Sequence, residues 1–314
     1  MTDRHLITHL RHVDIAMPDL DAQLTFYRDL WGLTEVAADS GVRFLAAEGS
    51  PEQYVVRLRR DRLKRLDLVA FGAASVADVD ALAGGLVKNG VRMVREPGPL
   101  DTPGGGYGVR FFDGDGRVVE VSADVAVRAH RRIEARESIP VRLSHVVINS
   151  PAPQATVDWY VRNLGFRLSD TLVLGDRGPF MYFLRCNPQH HSFAVARAPH
   201  ASFHHASFEM RGLDEYMRGT GRMLRHKVEK VWGPGRHYAG DNTFSYFLDP
   251  AGNTVEYTTE LELLDEDTWH PHVYDMLANE DVIDQWGTAN PMNEAVAARQ
   301  FNDPDHCLFQ APPI

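Results

Sequence analysis

The sequence predicts an α+β protein of two domains, each built from two units in which a strand and a helix are followed by several strands (βαβββ). The first observation behind this prediction is an internal duplication, because a stretch that begins at Leu10 recurs in the same order from Leu143. Matched residues keep a constant offset of 133 positions, as in His12 with His145 and Tyr27 with Tyr160. Agreement at one offset over a whole stretch is too detailed for chance helix periodicity.

A second correspondence joins residues 111–124 to residues 246–260. In both copies a strand leads through a turn containing Asp and Gly into a further strand. The offset is 136 positions, as in Asp113 with Asp249 and Glu120 with Glu256. The two correspondences indicate that the second half of the chain is a copy of the first.

Each half divides again into two units. We expect the four units to begin with strands near Ile7, Leu66, Val141 and Phe203. Helical spacing of apolar residues predicts a helix in each unit, for example from Val76 to Lys88 and from Leu213 to His226. The strands that follow each helix are rich in aromatic and β-branched residues.

The repeat sets the predicted domain boundaries. Residues 1–133 form an N-terminal domain, residues 134–140 a linker, residues 141–260 a C-terminal domain and residues 261–314 a tail outside the repeat. The basic, polar segment 128–138, which ends before Pro140, is predicted to be a short helix between the halves. Because the tail contains Trp269 and Trp286, we expect it to pack on the body of the protein or on a partner subunit.

Composition excludes several classes of function. A net charge of -10 argues against a nucleic acid or an anionic membrane as partner, since either would need a basic surface. The two cysteines, Cys186 and Cys307, lie far apart, which predicts no disulfide framework and fits a reducing cytosol. Charged residues interrupt the start of the chain, so we expect no targeting or membrane segment. These features predict a cytoplasmic protein that acts on a small molecule.

Histidine points to the second half of the chain, because eleven of the 15 histidines lie beyond residue 140. Three candidate metal ligands lie on predicted strands: His145, His205 and Glu256. Two imidazoles and one carboxylate that leave coordination positions open suit non-haem Fe(II). Zinc accepts similar ligands, so the residue types alone do not fix the metal.

The segment from Gly235 to Glu256, GRHYAGDNTFSYFLDPAGNTVE, together with the four-unit layout, resembles the type I extradiol ring-cleaving dioxygenases of the vicinal oxygen chelate superfamily. The layout covers residues 5–260, and the specific motifs all lie in residues 140–260. The resemblance implies sheets curled around a cavity, with the metal confined to the second domain. It also implies cleavage of a catechol with O2 at Fe(II), with Mn(II) as the alternative metal.

The resemblance also implies roles for individual residues. His145, His205 and Glu256 would hold the metal, His191 would act as acid/base, and His237 and Tyr246 would contact the substrate. His205 is preferred over His204 because it lies four residues before the acidic Glu209, and His204 is expected to be a core or surface residue. His191 fits the acid/base position better than His190, although the choice between the two stays open. Ser245 departs from the family pattern, which has an apolar residue before the tyrosine.

Four further residues are expected to line the substrate pocket: Val147, Phe180, Phe193 and Trp286. They would favour an aromatic substrate with an apolar substituent. Two alternatives stay open: a metal-dependent lyase or isomerase of the glyoxalase type, and a metal-free protein that binds an aromatic ligand. The resemblance also implies a homo-oligomer. In the first half, His12 and Glu120 occupy the matched ligand positions, but no histidine stands among residues 66–68.

Overall fold

The computed structural model of the chain describes residues 6–313, so the first five residues of the predicted N-terminal domain and the last residue of the predicted tail lie outside it. The strands of the first half are β1 (Ile7–Met17), β2 (Thr34–Asp39), β3 (Val42–Ala46), β4 (Val56–Arg60), β5 (Arg65–Ala73), β6 (Met93–Pro99), β7 (Tyr107–Phe112) and β8 (Val118–Ala123). Those of the second half are β9 (Arg142–Ser150), β10 (Arg167–Val173), β11 (Pro179–Arg185), β12 (Phe193–Arg197), β13 (Ser202–Glu209), β14 (Lys230–Arg236), β15 (Thr243–Leu248), β16 (Thr254–Thr258) and β17 (His272–Asp275).

The helices are α1 (Leu20–Thr25), α2 (Val76–Lys88), α3 (Pro153–Leu164), α4 (Leu213–Arg225) and α5 (Glu294–Phe301). Helix α1 continues as a π-helical stretch, Phe26–Trp31, and short 3-10 turns occupy Gly175–Arg177 and Glu280–Val282. Gly165 ends α3 with a φ of 71°, a left-handed conformation that glycine adopts without strain. Within residues 6–313, no helix is both long and apolar enough to cross a bilayer.

The described strands form two sheets, and each sheet joins two βαβββ units side by side. The first sheet has the order β2-β3-β4-β1-β5-β8-β7-β6, and the second has the order β14-β15-β16-β13-β9-β12-β11-β10-β17. In each, the leading strands of the two units pair antiparallel at the centre, β1 with β5 and β9 with β13. The prediction of an α+β protein with two such units per domain is confirmed.

The two halves contact each other reciprocally through their repeated residues. The hydroxyl of Tyr160 lies 3.0 Å from a carboxylate oxygen of Asp113, and the hydroxyl of its counterpart Tyr27 lies 3.3 Å from Asp249. Trp31 stacks on Tyr257 with ring centroids 3.7 Å apart. Each half therefore places its first helix region against the Asp-containing turn of the other half.

The predicted linker helix is wrong. Residues 128–138 form no helix in the structure and include a turn at residues 135–136. Arg136 and Ser138 have φ values of 74° and 48°, which a right-handed helix does not allow. The backbone N–H of Arg128 donates to the carbonyl of Pro51, so the segment is bound to the body instead of to its own turns.

The tail packs on the second sheet in the part that the structure describes. Strand β17 extends that sheet by pairing parallel with β10. Trp269 donates from Nε1 to the carbonyl of Ser169 at 2.9 Å. In the opposite sense, the carbonyl of Asn290 in the tail accepts from Nε1 of Trp232 at 2.9 Å. The tail thereby reaches both edges of the sheet that carries the candidate ligands.

Candidate metal centre

The strand register brings the three predicted metal ligands together on one face of the second sheet. Ser207, on β13, pairs with His145 on β9 and with Glu256 on β16. His205 precedes Ser207 by two residues, so its side chain points to the same face. One inward row of three adjacent strands therefore carries all three candidate ligands.

The ligand atoms of these three residues are close and buried. Nε2 of His145 lies 3.0 Å from Oε2 of Glu256, and Nε2 of His205 lies 3.3 Å from the same oxygen. All three candidate donor atoms lie within 4.8 Å of one another. Bonds of roughly 2.0 to 2.2 Å to one metal ion, meeting near right angles, place neighbouring donor atoms about 3 Å apart. The donor set therefore fits a single metal ion.

Unsatisfied polar atoms provide an independent reason to place an ion here. Both carboxylate oxygens of Glu256 and Nε2 of His205 are buried and form no hydrogen bond with the described residues. A buried carboxylate without a partner costs several kcal/mol. A divalent cation bound by these atoms would remove that cost.

Second partners orient the two imidazoles toward Glu256. Nδ1 of His145 lies 3.2 Å from the hydroxyl of Ser144, and Nδ1 of His205 lies 2.6 Å from Nδ1 of His204. A bond at Nδ1 leaves Nε2 as the nitrogen that can bind a metal, the usual arrangement of histidine ligands.

The charge states of the site suit metal binding. Burial raises the pKa of Glu256, but the neighbouring His145 and His205 outweigh burial and hold that pKa well below its usual range. Burial lowers the pKa of His205, against the opposing effect of Glu256. A carboxylate that keeps its charge and an imidazole that loses its proton are the forms that bind a metal.

His237 and Tyr246 form a hydrogen-bonded pair beside the ligands. Nε2 of His237 lies 3.0 Å from the hydroxyl of Tyr246, and its Nδ1 lies 3.3 Å from the carbonyl of Ile283. Burial lowers the pKa of His237 to about 4, so the ring is neutral at pH 7 and donates from Nδ1 to that carbonyl. Tyr246 therefore donates its hydroxyl proton in a hydrogen bond to Nε2 of His237. The oxygen of Tyr246 can still accept a hydrogen bond from a bound molecule.

Ser245 takes part in packing on the other face of β15. Its side chain is fully buried, and its hydroxyl lies 2.7 Å from that of Tyr216 on α4. Tyr246 pairs with Glu256 in the strand register. The departure from the family pattern at Ser245 is thus accommodated by a polar contact with the helix, and Tyr246 still faces the cavity.

His191 lies next to the candidate ligands, whereas His190 lies behind it. The rings of His191 and His145 have centroids 4.3 Å apart, and His191 lines the same cavity as the ligands. His190 is fully buried and bonds to Asp170. Burial, and then the neighbouring His145, lower the pKa of His191 well below its ordinary value. Of the two histidines, His191 is the one that can touch a bound molecule.

A largely apolar cavity opens beside these residues. Its wall includes five side chains from β9, β10 and β11: Val147, Leu172, Phe180, Met181 and Phe183. The tail contributes Met276, Val282, Ile283, Met292 and Gln300. No lysine or arginine from residues 6–313 lines this cavity. These tail residues have no repeat counterpart and no regular spacing, so no sequence pattern indicated that they line the cavity.

The structure places two of the four predicted pocket residues elsewhere. Val147 and Phe180 line the cavity as expected. Phe193 is fully buried in the interdomain core, with its ring centroid 5.9 Å from that of Phe71 and 4.5 Å from that of Tyr160. Trp286 lies on the surface over Arg236. The expectation for Phe193 and Trp286 is wrong because alternation along β12 turns Phe193 to the face away from the cavity, and the tail holds Trp286 outside it.

His204 also lies where the sequence did not place it. It lines the cavity, although strand alternation would send it to the face opposite His205. A register shift between Phe203 and His205 leaves His204 as an extra residue in a bulge. The bulge turns both histidines toward the same side, so His204 is neither a surface residue nor part of the apolar core.

The matching positions of the first domain hold a different cluster. Arg110, at the register position of Tyr246, lies 2.8 Å from Glu120, and Leu68 stands where the second domain has His205. His12 bonds to Asp14 at 2.7 Å. Arg110 thus places a positive charge beside Glu120, at the position where the second domain would bind a metal ion.

Comparisons with known proteins agree with this architecture. The model of the Glyoxalase/Bleomycin resistance protein/Dioxygenase superfamily matches residues 9–121 and 142–257. The crystal structure of the Mn(II)-bound glyoxalase from Novosphingobium aromaticivorans is 40% identical, with a TM-score of 0.87 and 98% of each chain covered. Metapyrocatechase 2 of Cupriavidus necator is 27% identical over 310 residues, 92% of this chain and 91% of that protein. The iron-dependent extradiol dioxygenase of Rhodococcus jostii (strain RHA1) is 26% identical over 285 residues, 84% of this chain and 92% of that protein.

Proposed function

The chain belongs to the glyoxalase/bleomycin resistance protein/dioxygenase superfamily, and from that premise we propose that it is an extradiol dioxygenase that opens the ring of a catechol with O2. The observation that carries the proposal is the buried, unsatisfied set of His145, His205 and Glu256 beside His191 and Tyr246. Two relatives that are similar over most of their length have names that describe ring cleavage of this kind.

The three ligands would hold Fe(II), or Mn(II) as the alternative, since the same donors suit both ions. A bound ion would hold catechol and O2 next to each other and carry electrons between them. An iron-dependent relative and a Mn(II)-bound structure support this choice of two metals. The reaction puts both oxygen atoms into the product, so it needs no further reductant.

The other polar residues of the cavity would manage the protons of the substrate. His191 would take a proton from one catechol hydroxyl and return it later in the reaction, which requires a neutral imidazole at the start. The oxygen of Tyr246 would accept a hydrogen bond from the other hydroxyl, because its own proton is donated to His237. The carbonyl of Ile283 accepts a hydrogen bond from Nδ1 of His237 and so keeps this ring in the tautomer whose Nε2 accepts the hydrogen bond from Tyr246.

The cavity wall favours a catechol with an apolar substituent. Side chains such as Leu172, Phe180 and Phe183 can surround an alkyl or aryl group. A carboxylated catechol would bury its negative charge without a cationic partner among the described residues of the cavity, at a cost of several kcal/mol. We therefore propose a neutral catechol as substrate.

The ligands all lie in residues 141–260, to which we assign the chemistry. The first domain, residues 1–133, would brace this half through contacts such as Tyr27 with Asp249. In that domain the glutamate already has an arginine partner, Arg110, and Leu68 replaces a ligand. The tail would complete the substrate cavity from its outer side.

A second candidate is a metal-dependent lyase or isomerase of the glyoxalase type, supported by the 40% identical structure that carries the name glyoxalase. The donor set is less suited to this second candidate, because Glu256 is the sole carboxylate among its three ligands. A metal-free binding protein is less well supported, since both buried oxygens of Glu256 would accept no hydrogen bond from the described residues.

Oxygen consumption separates these functions. Protein reconstituted anaerobically with Fe(II), and in parallel with Mn(II), is mixed with a panel of alkyl-, aryl- and carboxyl-substituted catechols in aerated buffer. Oxygen uptake together with a yellow ring-opened product supports the dioxygenase, and its loss in His205→Ala but not in the exposed His226→Gln assigns the reaction to this site. Isomerisation of a thiol-aldehyde adduct without oxygen uptake would support the glyoxalase type instead.

A further inference from the structure

Behind His191, a line of hydrogen bonds leads away from the cavity through His190 to a buried carboxylate. Nδ1 of His191 lies 2.9 Å from Nδ1 of His190. Nε2 of His190 lies 2.8 Å from Oδ2 of Asp170. His190 and Asp170 are almost completely buried, and neither lines the cavity in the described part of the chain. The pair has no role in the proposed chemistry so far.

Asp170 is surrounded by donors. In addition to His190, the backbone N–H of His272 on β17 donates to Oδ1 at 2.8 Å, and Nδ1 of the His272 ring lies 3.3 Å from the same oxygen. A carboxylate accepts at both oxygens and donates at neither. Nε2 of His190 must therefore carry the proton that it shares with Asp170.

The proton on Nε2 of His190 determines the direction of the hydrogen bond between His190 and His191. A neutral imidazole has one ring proton, so His190 with its proton on Nε2 can only accept at Nδ1. The short contact between the two Nδ1 atoms then requires His191 to donate from Nδ1. Nε2 of His191 is left without a proton, on the ring that lines the cavity.

We propose that His190 and Asp170 are positioning residues that hold His191 in the tautomer whose bare Nε2 faces the substrate. This inference rests on the proposed function for its catalytic meaning, because only a base at this place needs an unprotonated nitrogen toward the catechol. When Nε2 accepts the substrate proton, His191 becomes an imidazolium that still donates from Nδ1 to His190. The proton returns to the product side from the same atom, so the step is balanced within His191.

Asp170→Asn is the most informative variant, because an amide cannot accept on both sides. The backbone N–H of His272 is a donor in a fixed position, so the carbonyl oxygen of the new side chain should face it. The amide NH2 would then face Nε2 of His190 and force the proton of that ring to Nδ1. His191 would in turn have to accept at Nδ1 and carry its own proton on Nε2, so one isosteric change inverts both tautomers.

Nitrogen NMR of histidine-labelled, metal-free protein reads these tautomers without any catalysis. Two-bond proton–nitrogen spectra distinguish protonated from unprotonated ring nitrogens, and His191→Gln assigns the signals. We expect the wild-type protein to show His191 protonated on Nδ1 and His190 on Nε2, and Asp170→Asn to exchange both patterns. His226→Gln, an exposed substitution, should leave both patterns unchanged.

Three results would overturn the inference: a wild-type His191 protonated on Nε2, a wild-type His190 protonated on both nitrogens, or an unchanged pattern in a folded Asp170→Asn protein. The wild-type spectrum decides even if that variant fails to fold. In the loaded enzyme, Asp170→Asn should lower kcat by about 100-fold or more with little change in KM, the range of a lost general base. If the protein shows the expected tautomers but does not consume oxygen, the proposed function is rejected. The hydrogen bonds from Asp170 through His190 to His191 are then still supported.

Discussion

The hydroxyl of Tyr160 lies 3.0 Å from the carboxylate of Asp113, across the boundary between the two halves of the chain. Its repeat counterpart, Tyr27, makes the same contact with Asp249 in the opposite direction. Burial raises the pKa of Asp113, against the opposing charge of Arg117. Each contact thus supplies a buried carboxyl group with a hydrogen-bond donor from the other half. The two duplicated halves are therefore held together by a reciprocal pair of hydrogen bonds.

Replacing Tyr160 with Phe should lower the free energy of unfolding by about 1 to 3 kcal/mol, because Asp113 loses a buried donor that water cannot replace. Chemical denaturation measures the change. The matched control is Tyr107→Phe, which removes a similar bond to Asp80 at an exposed site and should cost much less. Equal losses in the two variants would contradict the importance of the interdomain contact.

The pH dependence of stability should include a contribution from Glu52 in the first domain. Burial raises the pKa of Glu52, but hydrogen bonds and charges from His9 and Arg11 outweigh it and lower that pKa to about 2. A carboxyl group with a depressed folded-state pKa stabilises the protein above its unfolded pKa of about 4.5, and this contribution is lost as pH falls toward about 2. Glu52→Gln should therefore be less stable than wild type at pH 6 by at most about 3 kcal/mol.

Denaturation of both proteins between about pH 6 and pH 3 checks this sign, since the gap between wild type and Glu52→Gln should narrow as pH falls. A gap that stays constant with pH would show that packing, and not the charge of Glu52, explains the loss.

The shape of the cavity predicts which substituents are tolerated. Val147 lines the cavity two residues after His145, so Val147→Phe should fill space beside the ring of the substrate. We expect kcat/KM for a catechol with a bulky apolar substituent to fall by about tenfold to 100-fold, while unsubstituted catechol is affected less. Val161→Phe, on the exposed side of α3, is the control. An equal loss for both substrates would place Val147 outside the substituent site.

Metal binding depends on the three converging ligands. Glu256→Gln keeps the shape of the side chain but removes the charge that attracts the ion, so the metal content after reconstitution and desalting should fall by at least tenfold. Elemental analysis measures this without an activity assay. Glu260→Gln, four residues later on an exposed surface, should retain wild-type content. Full metal content in Glu256→Gln would remove this residue from the ligand set.

The repeat and the spacing of conspicuous residues were readable from the sequence. Duplication doubles each signal, so Tyr27 and Tyr160 marked equivalent helices even though their partners lie in the other half. The three candidate ligands could be selected through the family resemblance, because the segment from Gly235 to Glu256 and the spacing from His205 to Glu209 match the pattern of that family. Their convergence follows from the register at Ser207, which the four-unit layout implies.

Other features depended on irregularities that leave no local signal. The bulge at His204 adds one residue to β13 and cancels the alternation that assigned this side chain to the other face. Phe193 and Ala194 are neighbours on β12, so their side chains point to opposite faces of the strand. The local sequence does not show which of these faces packs against the first domain. The tail residues that line the cavity, such as Met276 and Met292, follow irregular backbone. The role of His190 behind His191 also required the position of Asp170, twenty residues earlier.

The most direct test of ring cleavage is the mass of the product formed by Fe(II)-loaded protein from an alkyl-substituted catechol under isotopically labelled O2, quenched rapidly and compared with His205→Ala. We expect a product equal in mass to the catechol plus two labelled oxygen atoms, formed with one O2 consumed per product and absent from the variant. A quinone that has only lost two hydrogens, or no product from protein that retains its metal, would rule out ring cleavage at this site.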